Sequence, residues 1–285
     1  MNVLITGSTG FTGPYLIQEL KLRGFEVSCL KSNLLNPSDL ETEVKQINPD
    51  HVFHLGGLSH LTSNQPDELY RVNTIGSLNL IKALNNLCNN TKSIFLASTA
   101  YVYESTDSKI SEISPLFPDS HYAMSKLSME YLCKSHSNRI KLIVLRTFNY
   151  TGKGQSTKFF IPKLIKLFKQ KLNPIELGNL NIEREFNDVT WFVSVMVSLL
   201  EIPNTEGTFN VCSGISHKLT KIVEIMEKIS CHKAQIKVEN KLVRKGEKYK
   251  ICGDPKKLFK HLRSHDLCPE IPPIELTLKK MFDHP

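Results

Sequence analysis

The sequence contains no hydrophobic run long enough to span a membrane. Its longest apolar stretch, residues 191–200, is interrupted by Ser194 and Ser198. No basic and apolar leader precedes Val3, so we expect no signal peptide. The seven cysteines include no C-x-x-C pair, and an odd, scattered set is typical of reduced thiols. These absences predict a cytoplasmic protein.

A nucleic-acid partner is not expected either, although the net charge is +8. The lysines are spread along the 285 residues, and no known nucleic-acid motif accompanies them. A hydrophobic content of 40% and a charged content of 22% are ordinary for a globular chain of this length. The excess positive charge therefore indicates either a lysine-rich surface or attraction of small anionic molecules.

A glycine pattern lies close to the start of the chain. The apolar residues 3–5 predict a buried strand, and Gly7, Gly10 and Gly13 follow it. We expect Gly7 to allow a tight turn, Gly10 to let a pyrophosphate approach the backbone, and Gly13 to let the next helix pack on the strand. Pro14 suits the first turn of that helix. This order of strand, glycines and helix is typical of a dinucleotide-binding site.

The first half of the chain alternates between predicted strands and helices. The predicted strands are residues 3–5, 26–30, 51–55, 93–97 and 141–145, and predicted helices include 66–87 and 119–136. Ser38 and Glu41 predict a capping box at the start of one more helix. This alternation predicts an α/β fold, a doubly wound parallel sheet of the Rossmann type with helices on both faces.

The alternation becomes less regular after Arg146. The pattern predicts helices at 159–170, 191–200, 220–229 and 255–262, and strands at 208–211 and 234–238. We therefore expect a nucleotide-binding domain of residues 1–150 plus roughly 186–213. A smaller α+β substrate lobe would comprise roughly 151–185 and 214–285. Lys163, Lys166 and Lys169 are expected on a solvated helix face.

Tyr122 and Lys126 lie four residues apart, which places them on one face of a helix. A nearby ammonium favours a phenolate, so we expect Lys126 to lower the pKa of Tyr122 and make it a general acid/base. Ser98 and Thr99 are expected just past a strand, where a hydroxyl can reach a substrate carbonyl. The glycine loop, the hydroxyl and the Tyr/Lys pair are much more specific together than separately.

These motifs together resemble the extended short-chain dehydrogenase/reductases that modify nucleotide sugars. Matching segments are residues 6–13, 49–55, 72–76, 97–99, 122–126 and 146–152. Within that family, residues 146–155, 177–180, 184–186 and 210–214 are most similar to reductases of GDP-linked 4-keto-6-deoxy sugars. The resemblance implies NAD(P)H-dependent reduction of a C4 keto group, on GDP-4-keto-6-deoxy-mannose or a GDP-6-deoxy-4-keto-heptose, in polysaccharide or O-antigen synthesis. It also implies a homodimer.

The resemblance assigns roles to individual residues. Tyr122 would be the acid/base, Lys126 would hold the nicotinamide ribose, and Thr99 would bind the sugar O4. The implied cofactor-binding residues are Gly7, Thr9, Gly10, Phe11, Thr12, Gly13, Lys31, Asn36, Leu55, Gly56, Tyr122 and Lys126. The implied substrate-binding residues are Ser59, Thr99, Asn149, Arg184, Arg244 and Glu247, the two arginines contacting the pyrophosphate.

The sequence departs from the family pattern beside the active-site threonine. Sugar-nucleotide 4,6-dehydratases carry an acid there, whereas Ala100 and Tyr101 follow Thr99 here and the first acid is Glu104. Dehydration is therefore disfavoured, and C4 reduction or 4-epimerisation remains. A non-catalytic NAD(P)-sensing protein on the same scaffold is a further alternative, although the complete Thr/Tyr/Lys set argues against it.

Cofactor choice depends on the end of the second strand. An acid there would bind the ribose 2′-hydroxyl and favour NAD. Lys31 and Ser32 stand there instead and suit a 2′-phosphate, so the sequence favours NADP(H), with NAD(H) possible. Asn36 could accept a hydrogen bond from the adenine. His261, His265 and Cys268 provide too few ligands for zinc, so no metal is expected.

Overall fold

The computed structural model describes residues 1–59, 65–243 and 248–283. Its central feature is a six-stranded sheet, in which residues 207–211, 141–147, 93–99, 51–54, 2–6 and 26–29 lie side by side in that order. All neighbouring strands in this sheet are parallel. In the described ranges, none of the helices is long and apolar enough to cross a bilayer.

The strands of this sheet come from the first half of the chain, apart from the last. They are β1 Asn2–Thr6, β2 Glu26–Cys29, β3 His51–His54, β4 Ser93–Thr99, β5 Lys141–Thr147 and, after four short strands, β10 Gly207–Val211. The short strands are β6 Tyr150–Thr151, β7 Ile175–Leu177, β8 Glu183–Glu185, β9 Asn187–Asp188, β11 Ser216–Lys218, β12 Ile236–Val238 and β13 Lys250–Ile251. These pair as β6-β9, β12-β7 and β11-β8-β13.

Helices connect the strands and cover both faces of the sheet. They are α1 Gly13–Leu22, α2 Pro37–Ile47, α3 Pro66–Leu69, α4 Ser77–Leu87, α5 His121–His136, α6 Phe160–Lys169, α7 Val189–Glu201, α8 Leu219–Ser230, α9 Lys256–Arg263 and α10 Ile274–Asp283. A π-helical segment, Tyr70–Gly76, joins α3 to α4. The predicted doubly wound parallel sheet is therefore confirmed.

The two faces of the sheet bury separate apolar clusters because alternate strand residues point to opposite sides. Val3 and Ile5 of β1 pack with Leu16 of α1 and with Trp191 of α7. Leu4, between them, joins the opposite cluster, which includes residues of α2, α4 and α5. A third apolar cluster joins α6, α8, α10 and β7 away from this sheet.

Most predicted elements are present with shifted ends. Thr99 is the last residue of β4 and does not lie past the strand as predicted. The predicted helix at 66–87 is continuous but contains the π-helical segment. The predicted capping box is wrong, because α2 begins at Pro37 and the Asn36 side chain caps it by accepting from the Asp39 N–H.

A buried histidine connects the ends of β1 and β3 to α4. His54 Nδ1 lies 2.6 Å from Thr6 Oγ1, and His54 Nε2 lies 2.7 Å from Ser77 Oγ. Ser77 donates to the Asn73 carbonyl, and Thr6 Oγ1 accepts from the Gly56 N–H. Because Ser77 uses its proton on the Asn73 carbonyl, His54 Nε2 donates to Ser77. In a neutral ring Nδ1 then accepts from the Thr6 hydroxyl.

Burial, together with the Lys126 cation, lowers the pKa of His54 to about 3. An unfolded histidine titrates near its ordinary 6.5, so the unfolded chain binds an extra proton between these values. The neutral His54 network is therefore stabilising at neutral pH and loses that contribution in acid.

Stability should fall as the pH drops from about 6.5 towards 3, at about 1.4 kcal/mol per pH unit for this group. Urea unfolding of the wild type and of His54→Gln at several pH values measures this slope. The variant should have a shallower slope, while His265→Gln, at an exposed histidine, should match the wild type. Equal slopes in wild type and His54→Gln would contradict the expectation.

Candidate active site

The glycine loop turns sharply between β1 and α1. Gly7 has φ +69°, and a Cβ there would lie 2.7 Å from the Gly56 backbone nitrogen. A Cβ on Gly13 would lie 2.0 Å from the Ser8 carbonyl oxygen. Gly13 therefore lets the start of α1 lie close against the Ser8 backbone, and α1 packs on β1 through Leu16.

The first turn of α1 is suited to an anion. It contains no acidic residue, Thr12 forms no side-chain cap, and Pro14 has no N–H. The positive end of the helix dipole is therefore not compensated by the chain's own side chains there. Thr12 Oγ1 instead lies 2.8 Å from the Tyr150 hydroxyl, whose ring stacks on Phe192 with centroids 4.1 Å apart.

Thr99, Tyr122 and Lys126 meet at the carboxyl end of β4. The Tyr122 hydroxyl hydrogen-bonds with Thr99, whose side chain is buried and also accepts from the Tyr101 N–H at 3.3 Å. Lys126 Nζ donates to the Ala97 carbonyl at 2.9 Å. A Cβ on Gly57 would lie 3.2 Å from this nitrogen, so the ammonium lies directly behind the Gly57 backbone.

Burial determines the protonation of both groups in this structure. It raises the pKa of the Tyr122 phenol, and the hydrogen bond with Thr99 offsets only part of that effect. Burial also lowers the pKa of Lys126 to about 8, although the Glu130 carboxylate raises it. The prediction that Lys126 brings the pKa of Tyr122 down is therefore wrong here, because desolvation of the phenol is the larger effect.

A buried ion pair holds α5 against the sheet behind these residues. Arg146 Nη2 lies 2.7 Å from Glu130 Oε2, and Ser98 donates to the same carboxylate. The Arg146 guanidinium also lies 4.8 Å from the centre of the Tyr103 ring. Removing one partner of a buried pair costs about 3–5 kcal/mol, so this contact strongly constrains how α5 presents Tyr122 to Thr99.

These groups open into one cleft of about 820 Å³. Ten of the predicted site residues line it: Gly7, Gly10, Phe11, Thr12, Leu55, Ser59, Thr99, Tyr122, Asn149 and Arg184. Lys126 and Gly56 lie just behind the wall, where the Gly56 N–H donates to Thr6. The structure therefore gathers the predicted nucleotide loop, the predicted catalytic residues and three further predicted substrate contacts in one place.

The other predicted residues have different surroundings. Thr9, Lys31 and Asn36 are exposed outside the cleft wall, and the Asn36 amide caps α2. Arg184 lines the cleft, but its guanidinium donates to the carbonyls of Glu183, Lys248 and Tyr249. Arg244 and Glu247 lie outside the described residues.

Several cleft residues were missed by the sequence analysis. Lys158, Lys163 and Lys241 line the cleft together with Tyr101 and Tyr150. Lys163 was expected on a solvated face, but α6 buries Ile161, Leu164 and Ile165 and turns Lys163 to the cleft edge. Within the part of the chain that the structure describes, no Asp or Glu lines this cleft.

These features fit a nicotinamide dinucleotide. In a doubly wound sheet the pyrophosphate usually binds where the strand order reverses, which here is at the carboxyl ends of β1 and β3. The glycine turn and the uncompensated start of α1 lie at this point. A family model described as the NAD dependent epimerase/dehydratase family matches residues 3–212. The chain belongs to this family. The resemblance seen in the sequence is thereby confirmed.

Relatives in this family cover almost the whole chain. GDP-6-deoxy-D-talose 4-dehydrogenase from Aggregatibacter actinomycetemcomitans is 33% identical over 265 residues, 91% of this chain and 90% of that protein. GDP-6-deoxy-D-mannose reductase from Pseudomonas aeruginosa is 28% identical over 294 aligned positions, 98% and 93% of the two chains. The solved structure of RMD from Pseudomonas aeruginosa complexed with NADPH has a TM-score of 0.88 at 26% identity, covering 99% of this chain and 97% of that one.

The family is NAD(P)-dependent, and its members are nucleotide-sugar oxidoreductases and epimerases. Across residues 1–59, 65–243 and 248–283, no group of three His, Cys, Asp or Glu side chains is placed to hold a metal ion. His261, considered above as a zinc ligand, contacts the Thr205 hydroxyl at 3.0 Å.

Gly7→Ala should weaken NAD(P)H binding by about tenfold or more, because its Cβ would meet backbone atoms that cannot move aside. Nicotinamide fluorescence titration measures the dissociation constant. Gly24→Ala is a matched control, since Gly24 has φ +80° but an added Cβ meets nothing within 4 Å. If both variants bind the dinucleotide equally well, Gly7 does not shape the site.

Proposed function

We propose that the protein reduces the C4 keto group of a nucleotide-activated 6-deoxy sugar, with NAD(P)H as the hydride donor. The observation that carries this proposal is a cleft with a Thr99–Tyr122 hydrogen bond at its base and no carboxylate along its described wall. Elimination of water from a sugar requires a base for the C5 proton. Reduction requires only a hydride, which a bound nicotinamide would supply, and an acid, for which Tyr122 is placed.

Tyr122 is suited to be the acid in this reaction. Burial raises the pKa of its phenol, so the protonated form dominates at neutral pH and can donate to the developing alkoxide. Thr99 holds the keto oxygen beside it, and the bound nicotinamide supplies the hydride. Lys126 stabilises the phenolate that remains after proton donation, because an ammonium nearby favours the charged phenol.

The charges around the cleft support a diphosphate-linked substrate. Lys158, Lys163, Arg184 and Lys241 line it, and no Asp or Glu is among its described lining residues, although Lys241 lies 3.7 Å from the Glu176 carboxylate. Ammonium and guanidinium groups both suit phosphate oxygens. The names of the two relatives described above support a GDP-linked 6-deoxy-hexose. A GDP-linked 6-deoxy-heptose is the alternative substrate that the sequence resemblance implies.

The sheet topology and the packing of the helices support a division of the chain into two domains. We propose a cofactor domain of residues 1–150 plus roughly 186–213, because β10 joins the main sheet and α7 packs on α1. The remaining segments would form the substrate lobe around the third apolar cluster.

We also propose a cytoplasmic homodimer. The cytoplasmic location is proposed because all seven cysteines are unpaired, and the dimer because Met124 and Tyr131 expose apolar surface along one face of α5.

Tyr122→Phe should lower turnover by about 10²–10⁴-fold, the usual contribution of a general acid, while leaving cofactor affinity unchanged. The assay follows loss of reduced-nicotinamide absorbance with GDP-4-keto-6-deoxy-mannose, then with the corresponding heptose. Tyr131→Phe removes an exposed phenol from the same helix and should retain wild-type turnover.

Wild-type turnover in Tyr122→Phe would overturn the assigned role. If the wild type oxidises neither NADH nor NADPH with either sugar, the GDP-deoxysugar assignment is wrong. Purified protein that retains NAD and interconverts C4 epimers without net oxidation would identify the 4-epimerase instead.

The turnover number for reduction should fall as the pH rises through about 8, because Lys126 loses its proton there and can no longer stabilise the phenolate. Lys126→Arg keeps a cation to much higher pH and should move this alkaline limb upward, even if its absolute rate is lower. A pH–rate profile under saturating substrate measures both. A profile that stays flat well above pH 8 in the wild type would contradict the assignment.

A further inference from the structure

The carboxylate of Glu43, on α2, covers the carboxyl end of β2. Its Oε1 accepts from the Lys31 N–H at 2.9 Å, and its Oε2 accepts from the Ser32 N–H at 2.7 Å. The Ser32 hydroxyl donates to the same Oε2. One side chain therefore takes up three donors at this turn.

This turn lies where a dinucleotide carries its adenosine ribose. β2 pairs with β1, and the Leu30 N–H donates to the Ile5 carbonyl at 2.9 Å, so Lys31 emerges beside the glycine turn. In doubly wound folds the residue that meets the adenosine ribose follows the glycine loop by about 20 residues, which corresponds to Lys31 and Ser32.

The carboxylate is ionised at neutral pH. Partial burial raises the pKa of Glu43, but hydrogen bonds from Ser32 and from both backbone N–H groups, with the Lys31 charge, lower it overall. The Ser32 hydroxyl and the backbone N–H groups of Lys31 and Ser32 are thus already engaged by an anion of the chain itself, and the Lys31 charge helps to keep that anion ionised.

We propose that Glu43 makes the protein select NAD(H) over NADP(H). Its carboxylate supplies from α2 the acid that this position on the strand lacks, and it can accept from a ribose 2′-hydroxyl. A 2′-phosphate meets like charge at the same place and must displace the carboxylate to reach the Lys31 and Ser32 donors. This selection depends on the dinucleotide site and is independent of which sugar is reduced.

Isothermal titration with ADP-ribose and 2′-phospho-ADP-ribose tests this directly, because neither probe carries nicotinamide. The wild type should bind ADP-ribose about tenfold more tightly, as expected for repulsion between close like charges near a surface. Glu43→Gln removes the charge at nearly constant shape and should abolish most of this difference. Glu43→Ala, which frees all three donors, should favour the 2′-phosphate further.

Glu41→Gln, which neutralises an exposed acid on the same helix, is the matched control and should bind both probes as the wild type does. Thermal melts establish that each variant is folded, and fluorescence titration with NADH and NADPH should repeat the ranking. Equal or tighter binding of the 2′-phosphorylated probe by the wild type would overturn the proposal. So would an unchanged ratio in folded Glu43→Gln, whatever the sugar assays show.

Discussion

Hydrogen bonds running from the end of β1 to the first turn of α5 position the groups of the candidate site, and they pass through one neutral imidazole. His54 contacts Thr6 on one side and Ser77 on the other, and Ser77 donates to the Asn73 carbonyl. Asn73 in turn donates to Ser125, whose hydroxyl meets the Tyr122 carbonyl. Because each group has its donors and acceptors satisfied, the glycine turn and Tyr122 are held in one fixed relation.

Burial determines the protonation states of Tyr122 and Lys126 in this site. Desolvation keeps the Tyr122 phenol in the protonated form that can act as an acid, whereas removing a proton from an alcohol would first require ionising that phenol. The same burial lowers the pKa of Lys126 to about 8, so its ammonium begins to lose its proton only slightly above neutral pH. Both effects follow from packing α5 against β4, which the Glu130–Arg146 pair enforces.

Features that depend on residues close together in the sequence were predictable. Strand alternation, the glycine spacing and the Tyr122–Lys126 pair depend on residues a few positions apart, and the structure places all of them as expected. Contacts set by tertiary packing were not. The pKa of Tyr122 depends on how deeply α5 is buried, and two of the three carbonyl partners of Arg184, in Lys248 and Tyr249, lie more than 60 positions away.

Glu43 illustrates the intermediate case. Leu40 and Val44 point into the core, which places Glu43 at the edge of that face and towards the sheet. The spacing could have shown that it faces inward, but not that it reaches the Lys31 and Ser32 amides. That contact depends on the path of the connection between β2 and α2, for which the sequence offered only the position of a cap, and that prediction was wrong by two residues.

The π-helical segment limits how this chain can change in length. Asn73 and Thr74 are adjacent, yet both reach Ser125, at 3.1 Å and 2.9 Å. In an ordinary α-helix neighbouring side chains diverge by about 100° around the axis, and a widened turn brings them closer together. Deleting one residue before Asn73 would restore the narrower α-helical turn. If Leu69 then stayed in the core, Asn73 and Thr74 would rotate away from α5, and if they stayed against α5, Leu69 would rotate out of the core. Homologous proteins that keep this polar connection should therefore vary here by substitution, and insertions or deletions should accumulate elsewhere.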